Sequence, residues 1–187
     1  MSQFEFLFSL FGLLLGLSLA EVLGGFGKAV KARRRIRIGW LTPLLGILVM
    51  LDLTSFWTTA WAARDLLPVN YLTLMLLLAF TGLYYLAATL VFPEDVDGVP
   101  DFDAHYHLNK RLVVGAVLLL NVPDLAFDLW TGEVALRSAA RLTISIAFFS
   151  LLLAAMLVKG SRANIAFLAA LVALYPLTST LGALRLL

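Results

Sequence analysis

The residues in this chain that could do chemistry are carboxylates placed inside apolar runs. Asp52 interrupts the stretch Leu-Val-Met-Leu-Asp-Leu-Thr-Ser-Phe, and Asn121, Asp124 and Asp128 punctuate a second run further on. On a helix, Asn121, Asp124 and Asp128 share one face, because their spacing is i, i+3, i+7. Asp52, Ser55 and Thr59 repeat that spacing. Glu21 lies toward the end of the first apolar run. These groups are the candidate transport pathway, a staircase of oxygen ligands suited to proton relay or cation binding. A charged side chain at the centre of a bilayer costs about 2.5–3.5 kcal/mol on insertion scales, so it normally faces the interior of a bundle and marks function. Pro123 removes a helical hydrogen bond and frees the carbonyl of Leu119, adding one more oxygen beside Asn121 and Asp124.

The same residues have plainer readings. Arg137 and Arg141, across a short turn, could neutralise Asp124 and Asp128 as structural pairs, and Glu21 could meet Lys28. Asp52 has no basic residue at its depth in any apolar segment, which singles it out. Its alternative is a packing role, with Thr54, Thr58, Tyr84 or Tyr85 as neutral partners.

A second group lies in the polar stretch from Pro93 to His107. Asp101, Asp103, His105 and His107 alternate, so an extended chain would turn all four to one side and could hold a divalent metal. The competing expectation is electrostatic. Five carboxylates in this loop oppose six lysines and arginines between Lys28 and Arg37. That basic loop is also placed to meet anionic lipid. A third feature is the small-residue stripe Gly12, Gly16, Ala20 and Gly24, whose spacing by four lets helix backbones approach closely. It is expected to serve helix packing within the monomer or a homo-oligomer seam.

The elements that must position these residues are membrane helices. Of 187 residues, 61% are hydrophobic and 14% charged, and mean hydropathy is +0.95. A soluble fold of this size could not hide so much apolar surface, whereas lipid accepts it. Six segments of about the length needed to span a bilayer are present, at 4–27, 40–62, 70–92, 111–131, 138–158 and 164–185. The predicted fold is an all-α membrane protein, a bundle of six transmembrane helices with short loops, forming a single integral membrane domain over 1–187. Trp40, Trp61 and Trp130 fall at helix ends, as an interfacial belt would place them. The N-terminus lacks a basic region ahead of its first apolar run, which predicts a retained helix entering with its N-terminus out. Ten basic residues on the inner loops against four on the outer ones put both termini outside the cytoplasm, in what is expected to be a bacterial inner membrane.

Several classes are excluded. There are no cysteines, hence no disulfide, thiol nucleophile or thiolate metal site. No cofactor is expected, because both histidines lie in a polar loop and none could clasp a haem between helices. The basic excess of +2 sits beside a helix end and has a membrane explanation, so no nucleic-acid partner is expected. Three functions remain, in this order: a channel or transporter for protons or cations, a non-catalytic accessory or scaffold subunit of a membrane complex, and a metal-dependent membrane enzyme using the Asp/His loop.

Overall fold

The computed structural model describes residues 3–62, 64–65, 68–96, 98–131 and 139–183, with the side chains of residues 3, 4, 6, 124, 127–131, 139–141 and 183 outside that description. The described chain is helical and carries no strand. Its helices are α1 (Gln3–Ala32), α2 (Leu41–Ala62), α3 (Tyr71–Val91), α4 (Phe102–Thr131), α5 (Ala139–Leu157) and α6 (Ser161–Ala183). Four of them contain stretches long and apolar enough to cross a membrane: Leu7–Ala32, Leu41–Ala62, Tyr71–Val91 and Ser161–Gly182. The apolar part described in α5, Leu142–Leu157, is shorter, and α4 opens on a polar stretch. Large apolar side chains such as Leu13, Leu72 and Leu112 are more than 60% exposed, which water would penalise and lipid does not. The chain is therefore a helical membrane protein.

The contacts close into a ring in the order α1, α3, α4, α5, α6, α2 and back to α1, and α2 also reaches inward to α3 and α4. This position explains why α2 is the most buried of the four apolar spans. Its buried positions Leu41, Leu45, Leu48, Val49, Asp52 and Leu53 recur at three- and four-residue steps, so Asp52 occupies a core position of the helix.

Within the monomer the first helix packs through a face other than the small-residue stripe, so of the two expected uses the packing one is corrected. Leu7, Phe11, Leu15, Ser18, Val22 and Ala29 are buried, while Gly16, Ala20 and Gly24 are exposed. A Cβ added at Gly16 or Gly24 would meet nothing within 4 Å, and at Gly12 it would touch only Phe8 and Trp57 at ordinary contact distance. The glycines that packing requires are others. At Gly25 a Cβ would fall 2.4 Å from Cγ of Phe92, and at Gly46 3.0 Å from the Phe26 ring. Phe26 and Phe92 stack edge to face between them, with centroids 4.9 Å apart.

The polar stretch that starts at Pro93 holds a shorter loop than the sequence pattern implies, because α4 begins at Phe102 and not near residue 111. Asp101 Oδ1 accepts from the Ala104 amide at 2.6 Å, an N-cap for the helix. Phe102, Tyr106 and Lys110, four residues apart, then bury one face of this otherwise polar segment. The same turn caps α2 from outside. Asp103 Oδ1 accepts from the Leu41 amide at 3.1 Å, and Thr42 Oγ1 donates to the Phe102 carbonyl at 2.6 Å. Gly39 makes this approach possible. Its φ is +66°, and a Cβ there would overlap the Asp103 carboxylate.

Gly25→Ala is expected to destabilise the protein by about 1–3 kcal/mol, the usual cost of overpacking a fixed contact. Gly16→Ala and Gly24→Ala should be neutral. Unfolding midpoints in detergent check this, and equal midpoints for all three variants would contradict the packing described.

Candidate functional site

Asp52 is 1% exposed and receives hydrogen bonds from three helices. Tyr84 on α3 donates to Oδ2 at 3.0 Å, and Asn121 on α4 donates to Oδ1 at 2.9 Å. Tyr175 on α6 donates to Oδ1 at 2.7 Å. All three donors are neutral. Each is held in place by its surroundings. The second amide hydrogen of Asn121 goes to the Val117 carbonyl at 2.8 Å, the Tyr84 ring lies 5.3 Å from that of Phe56, and Tyr175 meets Phe148 edge to face at 5.9 Å. The amide cannot turn over without setting its oxygen against the Val117 carbonyl, which only accepts, so that bond fixes its orientation.

Two cavities flank this knot in the half of the bundle away from the basic loop. One, of about 190 Å³, is lined by Ser55, Asn121, Ser145, Phe148, Tyr175 and Thr178 among others. The second, of about 570 Å³, lies between α2 and α6 against Thr54, Ser55, Thr58, Tyr175, Thr178 and Ser179. Asp52 itself lines neither cavity; Asn121 and Tyr175 stand between the carboxylate and the open space. Toward the other end of the bundle, Leu45, Leu48, Val49, Val113 and Val117 fill the interior and leave the carboxylate sealed.

That far end holds a second polar cluster. Lys110 is 4% exposed and is the only buried cation among the described residues. Its ammonium donates to the carbonyls of Ala155, at 3.0 Å, and Val158, and to Asn164 Oδ1 at 3.3 Å. Those carbonyls close the C-terminal end of α5, where the partial charge of the helix dipole is negative. Tyr106 donates to Asn164 Oδ1 at 2.8 Å, and Asn164 donates to the carbonyls of Val158 and Gly160 at 2.7 and 2.9 Å. Burial pushes the Tyr106 phenol up, which keeps it a donor. Eleven residues of α4, about 16 Å, separate Lys110 from Asn121, so Lys110 is not the counter-ion of Asp52.

The sequence-derived candidates separate accordingly. Asp52 and Asn121 meet directly, and Ser55 lines both cavities beside them. Thr59 is exposed on α2, and Glu21 is half-buried on α1. The side chains of Asp124, Asp128 and Arg141, and all of Arg137, lie outside the described residues. Tyr84 is one of the neutral partners expected for Asp52, whereas Tyr85 is exposed and Thr54 and Thr58 bond their own helix. Tyr175 and Lys110 are not among the residues that the sequence singles out. Spacing gives no signal for either role.

The metal site proposed for Asp101, Asp103, His105 and His107 is corrected by the helix. From Phe102 onward successive residues turn by about 100°, so alternation spreads these side chains around the axis instead of aligning them. Asp101 and Asp103 serve as the caps described above. His105 Nε2 donates to the Leu90 carbonyl at 3.1 Å, and His107 Nε2 bonds Ser161 Oγ at 3.0 Å. Burial, and then the nearby Lys110 ammonium, pull the His107 imidazole below its ordinary value, against the opposing pull of Asp103 and Asp101. No three His, Cys, Asp or Glu side chains converge on a metal position among the described residues. The basic and acidic segments meet through backbone groups and not by pairing opposite charges in these contacts: the Phe102 amide donates to the Arg37 carbonyl at 3.2 Å, and Asp103 caps the Leu41 amide.

No protein family, curated protein or solved structure matches the chain.

Removing one phenol hydroxyl from Asp52 should weaken the fold by about 1–3 kcal/mol, the range for leaving a buried polar group short of a partner. Tyr84→Phe and Tyr175→Phe, unfolded in detergent beside the wild type, measure it. Unchanged stability in both would show that the phenols do not hold the carboxylate.

Proposed function

We propose that this chain is an integral membrane protein that moves protons or cations, with Asp52 as the group that takes and releases them. The carrying observation is the position of Asn121 and Tyr175, which touch the carboxylate on one side and line a hydroxyl-bearing cavity on the other. A buried carboxylate with neutral donors only, one side chain away from cavities that carry hydroxyls, suits reversible loading better than permanent pairing. Pathway residues are Asp52, Asn121, Ser55 and Tyr175. Asp124 and Asp128 extend the same helix toward the mouth by their place in the sequence.

This reading includes six membrane crossings, with α4 and α5 completing the bundle, in a bacterial inner membrane with both termini outside the cytoplasm. The cavities then face outward, and the Lys110 cluster closes the cytoplasmic side. The exposed basic residues between 28 and 37 sit against anionic headgroups, with Trp40 at the interface. The open face of Gly16, Ala20 and Gly24 is available to a second copy of the chain.

The alternative is a non-catalytic accessory or scaffold subunit. It is favoured by one observation: among the described residues, no buried side-chain nitrogen or oxygen lacks a partner. A fully satisfied polar knot is sufficient to lock four helices together.

Flux into liposomes separates the two. Wild-type protein should dissipate a proton, sodium or potassium gradient, and Asp52→Asn that elutes as folded protein should reduce this to the level of empty vesicles. Wild-type flux no greater than empty vesicles under all three gradients would leave the scaffold reading.

A further inference from the structure

The hydrogen bonds around the two cavities run in one direction. Tyr175 gives its only hydroxyl proton to Asp52, and Asn121 gives both amide hydrogens to Asp52 and the Val117 carbonyl. Thr54, Thr58 and Thr178 donate to the backbone carbonyls of Met50, Ser55 and Tyr175, at 2.9, 2.7 and 3.0 Å. Five polar groups on the cavity walls therefore have no hydrogen left to donate, and each keeps lone pairs. Ser55, Ser145 and Ser179 complete the walls with hydroxyls that rotate to either role. No lysine, arginine or histidine lines either cavity among the described residues. A wall of acceptors backed by a carboxylate is complementary to a hydrogen-bond donor that carries positive charge.

The remaining walls select among cations. Phe148, Phe149, Ile144 and Leu174 surround the smaller cavity, and the two phenylalanine rings pack edge to face at 5.8 Å. A bare alkali ion needs oxygens converging on one point. These acceptors are instead strung along α2, α4 and α6, and the aromatic rings would be left without a partner. Thr54, Thr58, Pro176 and Ser179 are exposed, so the larger cavity opens on the flank of the bundle between α2 and α6. An entrant from that side arrives through the apolar phase.

We propose that the cavities beside Asn121 and Tyr175 bind a protonated organic amine with an apolar or aromatic body. The ammonium hydrogens point to Tyr175 Oη, Asn121 Oδ1 and the Thr178 hydroxyl oxygen, and the body lies against Phe148 and Phe149, whose ring faces also attract the charge. This inference rests on the reading of Asp52 as a cation-handling group and names the class of cation.

The test uses the full chain in lipid nanodiscs with radiolabelled 2-phenylethylamine at pH 7. Saturable binding is expected, displaced by the unlabelled amine but not by 2-phenylethanol, sodium or potassium. Thr178→Val leaves all three hydrogen bonds to Asp52 in place and should weaken binding about two- to tenfold, the worth of one hydrogen bond. Tyr175→Phe should weaken it about tenfold or more, since it removes both an acceptor and a support of the carboxylate. Displacement by the alcohol as readily as by the amine would overturn the proposal, since the cavity would then be merely apolar. Asp52-dependent proton or alkali flux without saturable amine binding would also overturn it, while leaving the transport reading intact. Absence of both flux and binding would overturn the two together.

Discussion

The structure depends on the requirement that a carboxylate taken out of water be surrounded by donors. Asp52 occupies a core position of the innermost helix, and no cation lies within reach among the described residues. Leaving it unsatisfied would cost several kcal/mol, more than most single contacts contribute. Its two oxygens are satisfied by Tyr84, Asn121 and Tyr175, one from each of three other helices. These bonds fix the rotation of α3, α4 and α6 about their axes and their depth relative to α2. Apolar packing in lipid has no comparable power, since leucine contacts leucine and lipid almost equally well.

Among the described residues the two buried ionisable groups, Lys110 and Asp52, are kept apart and are satisfied separately. Lys110 is buried at one end, Asp52 near the middle, with valine and leucine between them. Over a separation of roughly 16 Å, at an effective dielectric constant near 20, their attraction is about 1 kcal/mol. That is too little to offset the desolvation of either. Helix geometry does the work on one side, with the terminal carbonyls of α5 converging on the ammonium. Neutral side-chain donors do it on the other. The arrangement leaves Asp52 surrounded by groups that can exchange partners without breaking an ion pair. It also leaves the end of the bundle nearest the basic loop closed by hydrogen bonds among Tyr106, Lys110 and Asn164.

Much of this was legible in the sequence where a residue's own segment dictates its fate. Asp52 was identifiable because a lone carboxylate in an apolar run has few choices, and Tyr84 was within the set of neutral partners that could serve it. The Asp/His loop misled because its alternation has two meanings. Read as an extended chain it aligns four ligands, but one cap at Asp101 and one buried face, Phe102 with Tyr106, turn it into the first two turns of α4. The stripe in α1 is not the monomer's packing face, for a related reason. Small residues permit close approach but do not require it, and Phe92 lies against Gly25 instead.

The sequence by itself determined the class of protein and the rarity of its charges. Composition forces apolar helices into lipid, and the spacing of the polar residues shows which ones must be sheltered. Only the tertiary structure decided which groups do the sheltering. Asp52 and Tyr175 are 123 residues apart, and Lys110 reaches the carbonyls of a helix end more than 40 residues away. Such pairings leave no trace in local periodicity, because a helix presents every side of itself to something. Which side meets which neighbour is settled by how all the helices together satisfy their few buried polar groups.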